Sequence, residues 1–149
     1  MSTVFVDLVT WAMATLQASP PVAPQIYRNR LRVVPTEVEQ SLVVRMDKSS
    51  PALTAIAGAP IDWTSNFAVD CYLRADSDEE ADEQVAPLMN SVFGRLLQPD
   101  PALDALDIYI EPGPIEWDFV ATGENLVCAT LLFTALQRTA AHNLESPQP

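Results

Sequence analysis

The segment NLVCATLLFTALQRT, residues 125–139, constrains the fold of this chain more than any other. Its side chains are apolar on both alternating faces for about ten residues. A strand with one face in water shows strict alternation of apolar and polar residues, whereas a strand covered on both faces reads as a continuous apolar run. The segment therefore predicts a central strand, with helices on one face and another apolar layer on the other.

Other segments alternate with period two and predict further strands. Residues 25–34 and 41–47 both alternate and are joined by a short polar stretch, so they predict an antiparallel hairpin. Residues 63–75 predict a third strand, after a loop at 48–62 that is rich in proline and small residues. A short strand is expected where Leu106, Ile108 and Ile110 align, followed by a turn at EPGP and a continuation that ends in aromatic residues.

Two segments have helical periodicity. Residues 3–18 repeat apolar side chains at helical spacing, with Ser2 or Thr3 available as the N-cap. The second helix is predicted to begin at Ser77, because Ser77 and Glu80 have the spacing of a capping box. Pro87 lies inside its apolar pattern and cannot donate a hydrogen bond to Glu83. We therefore expect a kink or break between residues 82 and 88.

This order of elements predicts an α+β fold. Runs of consecutive strands separated by single helices indicate a largely antiparallel sheet with two main helices packed on one face. With 149 residues, the chain is long enough for one core and too short for two. Residues 1–140 are expected to form a single domain, and residues 141–149, which have no core pattern, a flexible C-terminal tail.

The residue types needed for catalysis are scarce, so we expect no enzyme and no cofactor. The only histidine, His142, lies in the predicted tail, and there is no glycine-rich phosphate loop. Cys71 and Cys128 are expected to be small buried thiols rather than metal ligands. Three carboxylates follow or flank the EPGP turn and allow a second interpretation, a small metal-binding or hydrolytic module. They are Glu111, Glu116 and Asp118.

The net charge of −12 argues against a general nucleic-acid or anionic-membrane binder. No basic region precedes the first apolar stretch and no apolar run is long enough to span a membrane, so a soluble cytosolic protein is expected. An acidic cluster opens the second helix but departs from a calcium loop at Ala81 and Pro87. Its members are Asp76, Asp78, Glu79, Glu80, Asp82 and Glu83.

The stretch YRNRLR places an arginine at every second position in this acidic chain. In the predicted hairpin Arg28 lies opposite Asp47 and Arg30 lies near Arg45, so the arginines share one face and repel unless something acidic covers them. Three interpretations remain open: pairing within the monomer, contact with the acidic cluster of a neighbouring subunit, and contact with DNA or another partner. The candidate interface or pore-facing residues are Arg28, Arg30, Arg32 and Arg45.

Four segments together carry a resemblance to a known family: IYRNRLRVVPTEVEQSLVVRMD, GAPIDWTSNFAVDCYLRA, LDIYIEPGPIEWDF and LVCATLLFTALQRTAA. Over residues 1 to about 140 the chain resembles the tail terminator proteins of long-tailed bacteriophages and prophages, of the minor tail protein U type. The most telling pieces are the arginine-rich strand, the DW pair before the third strand and the motif around IEWDF.

The resemblance implies a structural virion protein with an α+β fold. Such a protein forms a ring of six subunits that caps the tail tube, ends its polymerisation and offers a surface for head joining. The implied partners are other copies of the chain, the tail tube protein and a head-completion protein, with DNA only passing through the pore and no membrane. The implied location is the virion tail, with the host cytoplasm during assembly. A tail tube or other tail-completion subunit of related fold is the alternative.

Overall fold

The computed structural model describes residues 2–29, 38–52, 56–77, 79–119 and 126–145. These residues form three helices and five strands, and the strands make one sheet in the order β1-β2-β3-β5-β4. All neighbouring strands are antiparallel except β1 and β2, which are parallel. The predicted α+β class is therefore confirmed. The elements are α1 Val4–Gln17, β1 Gln25–Arg28, β2 Gln40–Pro51, β3 Ile61–Arg74, α2 Ala81–Leu97, α3 Pro101–Leu106, β4 Tyr109–Phe119 and β5 Leu126–Thr139.

The core lies between one face of the sheet and the helices. Phe67 of β3 and Phe133 of β5 are register partners, and their stacked rings are 5.2 Å apart at the centre of this face. Leu8 of α1 and Val85 of α2 are fully buried in the same cluster. Apolar residues recur every three or four positions in both helices, so each helix offers one apolar stripe that the sheet covers. We call this the helix-bearing face of the sheet.

The final strand has the central position that its composition predicts. β5 pairs with β3 on one side and β4 on the other, and its alternate residues Val127, Ala129 and Leu131 are buried under the helices. None of the described helices covers the opposite face, which we call the open face. Asp70 and Thr130 form a buried polar centre there, and the predicted second apolar layer stays a prediction.

The predicted hairpin of the first two strands is wrong. β1 is only four residues long and runs parallel to β2, with Arg28 in register with Val44 rather than with Asp47. It ends at Arg28, because the φ of 52° at Asn29 takes the backbone out of extended geometry. Alternation identifies a strand but says nothing about its direction, and residues 30–37 lie outside the described residues. The arginine-rich strand predicted through residue 34 is thus described only as far as Arg28.

Strand β2 extends into the predicted loop at residues 48–62. It continues to Pro51, and β3 already begins at Ile61. A bulge between Met46 and Lys48 shifts the register with β3. An extra residue in one strand changes which face the following side chains occupy. The single alternating pattern is therefore interrupted, and the second half of β2 does not stand out in the sequence.

Helix α2 begins later than the capping-box pattern predicts. Its first residue is Ala81, and the side chain of its N-cap, Glu80, accepts no capping hydrogen bond from a backbone N–H of the helix. The Gln84 amide binds the preceding turn instead, accepting from the Asp76 backbone N–H and donating to its carboxylate, both at 2.9 Å. Ser77 therefore does not start the helix.

The predicted break at Pro87 is wrong as well, because α2 runs without interruption from Ala81 to Leu97, whereas the predicted kink stays a prediction. Pro87 is exposed and lies in the second turn, where it removes one backbone hydrogen bond. Val85, Leu88 and Val92 on either side of it are buried against the sheet. Their burial outweighs the lost hydrogen bond, so the helix continues past the proline.

A third helix overlaps the start of the strand that the sequence predicts at Leu106. α3 spans Pro101–Leu106, with Pro101 in its first turn and Asp100 as its N-cap accepting from the Ala102 N–H at 2.9 Å. The Asp-Pro pair is a recognised start signal for a helix. Leu106 therefore belongs to α3, and strand β4 begins three residues later at Tyr109.

Strand β4 is continuous through the predicted EPGP turn. A bulge between Pro112 and Ile115 absorbs the Pro-Gly-Pro sequence, and pairing with β5 continues on both sides of it. Proline is tolerated in a strand at a sheet edge or at a bulge, and β4 offers both. Gly113 lies close to β5, since a Cβ atom added to it would be 2.9 Å from the Leu132 carbonyl oxygen.

Gly113→Ala is therefore expected to destabilise the protein. The added methyl group collides with backbone rather than with a flexible side chain, so the bulge must move away from β5 at a cost of about 1–3 kcal/mol. Urea denaturation followed by circular dichroism measures this change. Gly94→Ala is the matched control, because a Cβ atom at that helical position meets nothing within 4 Å. Equal stability of the two variants would contradict a tight bulge.

The first residues after β5 return to the start of α1. The Val4 N–H donates to the Leu144 carbonyl at 2.9 Å, and Thr3 forms an isolated bridge with Glu145. Residues 140–145 thus contact the domain through backbone groups, and residues 146–149 lie outside the described part of the chain. The domain boundary at residue 140 and the flexible tail stay predictions.

Candidate subunit interface

The arginines expected to share a surface lie on different faces of the sheet. Arg28 shares the helix-bearing face with its register partner Val44, and its guanidinium donates to Thr10 Oγ1 at 3.1 Å and the Val6 carbonyl at 3.5 Å. Arg45 is the next residue along β2 and therefore points to the open face. Arg30 and Arg32 lie outside the described residues. The predicted grouping of Arg28 with Arg45 is wrong, because it depended on the antiparallel hairpin.

Arg45 has its partner within the monomer. Its Nε donates to Asp70 Oδ2 at 2.9 Å and its Nη2 donates to Asp70 Oδ1 at 3.3 Å, while Asp47 lies 3.7 Å from Nη1. Thr130 also donates to Asp70 Oδ1, at 2.6 Å. The hydrogen bond to Asp70 raises the pKa of Arg45 above its ordinary value. This cluster joins β2, β3 and β5 across the open face and compensates the burial of the Asp70 carboxylate.

The acidic cluster surrounds the start of α2. Glu79, Glu80, Asp82 and Glu83 are exposed, and Asp76 is hydrogen-bonded to Gln84. Asp78 lies outside the described residues. Carboxylates in the first turn of a helix favour the positive end of its dipole, which gives Asp82 and Glu83 a role within the monomer. The role of the cluster as a counter-surface for arginine stays a prediction.

The three carboxylates of the alternative reading lie along β4. Glu111, Glu116 and Asp118 are exposed, and their register partners Thr134, Thr130 and Cys128 place them on the open face. Within the described ranges, no group of three or more histidine, cysteine, aspartate or glutamate side chains is arranged to hold a metal ion.

The cysteines are free and buried, which confirms their predicted character as small buried thiols. Burial raises the pKa of Cys128 to about 11, and burial likewise raises the pKa of Cys71. Both side chains are therefore protonated near neutral pH, and a protonated thiol is a poor nucleophile and metal ligand.

Strand β4 carries an exposed apolar surface that the sequence interpretation did not single out. Ile115, Trp117 and Phe119 are 42 %, 48 % and 53 % exposed, and Phe93 of α2 is 39 % exposed. The register partners of the three β4 residues are Leu131, Ala129 and Val127, so all three lie on the helix-bearing face. We call these four residues the aromatic patch.

A shallow groove of about 240 Å³ runs between α2 and β4 beside this patch. Its walls are almost entirely apolar, with Met89 and Phe93 contributed by α2 and Ile115 and Trp117 by β4. The Trp117 and Phe119 rings are stacked, with centroids 6.2 Å apart. An aromatic surface beside a groove is typical of sites where another protein segment docks.

The aromatic patch also borders an open sheet edge. β4 pairs with β5 alone among the described strands, so along its outer side the backbone N–H and C=O groups have no strand partner there. Natural sheets usually protect such an edge with short strands, lysines or a covering element, because it invites pairing with another chain. β4 has eleven residues and no basic side chain. Its bulge and carboxylates give only partial protection.

One signal in the sequence indicates this surface. The run IEWDF alternates large apolar residues with carboxylates after a Pro-Gly-Pro bulge, which is typical of an edge strand with one apolar face. The exposure of this apolar face depends on how far α2 extends over the sheet. Tertiary packing sets the position of α2, so the sequence pattern alone predicts that the face is apolar but not that it is exposed to solvent.

Among the residues that the structure describes, no helix has the length and apolar character required to cross a membrane.

No protein-family model matches this sequence, and no curated protein matches it either. Among solved structures, the chain is similar to a protein described as the sheath/tube terminator of an extracellular contractile injection system, PVC, in the extended state. The two share 12 % sequence identity with a TM-score of 0.46, and the match covers 100 % of this chain and 62 % of that one. This chain thus spans less than two thirds of the other protein's length. Because the TM-score is below 0.5, the functional argument rests on the surfaces of this chain and its sequence motifs.

Proposed function

We propose that this protein is a structural subunit that associates with copies of itself into a ring, and that the ring caps a phage-type tail tube. By covering the tube end the ring stops polymerisation and offers a surface to the head-completion protein. The ring has six subunits, and DNA crosses only its pore. The protein acts in the virion tail after assembly in the host cytoplasm, without enzymatic activity and without a cofactor.

The observation that carries the self-association is the aromatic patch beside a sheet edge that no described strand covers. Trp117 and Phe119 are large, stacked side chains about half exposed to water, and their burial by another protein chain is favourable. The adjacent groove between α2 and β4 gives an incoming segment a recess to fill. A monomer gains nothing from leaving such a surface open.

The sequence motifs support the more specific role at a tail tube. The aromatic patch lies within LDIYIEPGPIEWDF, and Arg28 belongs to IYRNRLRVVPTEVEQSLVVRMD, two of the segments that resemble tail terminator proteins. The surface most suited to association therefore coincides with one of the motifs that carry the resemblance.

The test is a polymerisation assay with a phage-type tail tube protein. Adding the protein during assembly should shorten the tubes in proportion to its concentration, and electron microscopy should locate a tagged copy at one tube end. A matched sample with Trp117→Ser and Phe119→Ser should leave tube length unchanged, because that variant lacks the aromatic patch. Incorporation along the whole tube would identify a tube subunit instead. Hydrolytic or metal-dependent activity that requires Glu116 or Asp118 would support the carboxylate module.

A further inference from the structure

The two outer edges of the sheet carry different charges. β4 contributes Glu111, Glu116 and Asp118 and no basic residue. β1, at the other edge, ends in Arg28, whose guanidinium donates to two neutral oxygens of α1. Two β4 edges placed together would bring three carboxylates of one copy against three of another. Charge therefore favours contact between β4 and the opposite edge of a second copy.

The exposed apolar side chains show the same complementarity. The aromatic patch lies on the helix-bearing face beside β4. On the β1 side, Val6 of α1 is 46 % exposed and its carbonyl accepts a hydrogen bond from Arg28, so the two residues are neighbours on that same face. If the sheet continues from β4 into the β1 edge of another copy, α1 of that copy lies beside α2 and covers the aromatic patch.

We infer that β4 of one copy docks against the β1 edge of the next copy, with Trp117 and Phe119 packed under the neighbour's Val6 and Arg28. The guanidinium then lies over an aromatic face, where a cation is attracted by the ring electrons. The two surfaces of this contact are different, so each copy offers one of each. Such head-to-tail contacts close into a ring when the rotation between copies fits. The inference deepens the proposed function and rests on its self-assembly.

Two variants that each lack one surface test this contact. The first carries Trp117→Ser and Phe119→Ser and retains the β1 edge. The second carries Arg28→Glu and retains the aromatic patch. Because central aromatic and arginine contacts dominate protein interfaces, each variant alone should show an apparent Kd for association raised at least about tenfold in sedimentation velocity. The protein concentration is chosen so that the wild-type chain associates and each variant is monomeric.

Mixing the two variants in equal amounts should give a one-to-one dimer. The second variant's intact β4 can bind the first variant's intact β1 edge, and the dimer cannot grow because its two remaining surfaces are both disabled. Three results would overturn the inference: a mixture that stays monomeric, an Arg28→Glu variant that assembles like the wild type, and a wild-type chain that stays monomeric at the highest soluble concentration. The second of these would indicate contact between two β4 edges.

Matched controls separate the interface from general effects. Lys48→Glu makes the same charge change at an exposed position in β2, and Leu144→Ser removes an exposed apolar side chain that belongs to neither surface. Both should assemble like the wild type. Thermal melting of every variant identifies a chain that has lost its fold. If either interface variant is unfolded, the two are replaced by Trp117→Gln and Arg28→Gln. Mixing these replacements should give the same dimer.

Failure of this contact and failure of the proposed function give different results. If mixing restores a dimer but the wild-type protein leaves tube length unchanged, the contact is correct and the role at the tube is wrong. If the wild-type protein shortens tubes but mixing restores nothing, the role stands and the ring uses other surfaces.

Discussion

Replacing Asp70 with alanine should lower the free energy of unfolding by about 2–4 kcal/mol. The Asp70 side chain is almost fully buried, and it accepts hydrogen bonds from Arg45 and Thr130 on two different strands. Without the carboxylate, the Thr130 hydroxyl loses its acceptor in a buried position. Arg45 loses its closest counter-ion, and because it is partly exposed its charge still reaches water. Denaturant titration followed by tryptophan fluorescence measures the change.

Asp62→Ala is the matched control for this experiment. Asp62 forms a similar two-bond pair with Arg138, but both side chains are well exposed to solvent. Removing an exposed pair should leave the unfolding midpoint nearly unchanged. Asp70→Asn should fall between the two, because the amide oxygen can still accept from Thr130. Equal midpoints for the Asp70 and Asp62 alanine variants would show that the cluster on the open face adds no stability.

Association of the wild-type chain should depend steeply on salt. Each copy carries a net charge of −12, so a ring of six would carry six times −12, or −72. Repulsion on this scale opposes closure in free solution even where the interface is well packed. Salt screens it over a Debye length of about 8–10 Å at 0.1–0.15 M, and magnesium should act at lower concentration around the exposed carboxylates of α2. We expect monomers at low salt and rings at higher salt or at a tube end.

Sedimentation velocity at several protein, sodium chloride and magnesium concentrations measures this dependence. The direction of the salt effect shows which electrostatic contribution dominates. Screening of the repulsion between whole copies strengthens association, whereas screening of the attraction between Arg28 and β4 weakens it. Choline chloride at matched ionic strength controls for specific magnesium binding. A stable hexamer at low salt and nanomolar protein would contradict control by repulsion. A monomer under every condition, tube ends included, would contradict the ring itself.

The features that the sequence predicts well are those that depend on local periodicity. Alternation through Phe67 and Cys71 identifies β3, and the apolar run through residues 125–139 identifies β5 as central. Errors begin where periodicity is interrupted. The bulges after Met46 and Pro112 move side chains to the other face, and α3, with six residues, is too short for its period to stand out.

The candidate interface was only partly predictable because it depends on non-local pairing. In the predicted hairpin Arg28 and Arg45 share one face, yet parallel pairing of β1 puts them on opposite faces. The partner of Arg45 is Asp70, which follows from the register of β2 with β3 and from no local pattern. The exposure of Trp117 is set by where α2 crosses the sheet. Sequence alone identifies these residue types but not what covers them.

The strand order has a consequence for when the protein becomes competent to assemble. Among the described strands β4 pairs with β5 alone, and β5 must pair with β3 across a sequence separation of about 60 residues, as between Val69 and Leu131. Such non-local pairings form late, because the intervening chain must be ordered first. During synthesis β4 leaves the ribosome before β5 does. The edge with Trp117 therefore takes its final shape only when the sheet is complete, which protects incomplete chains from joining one another.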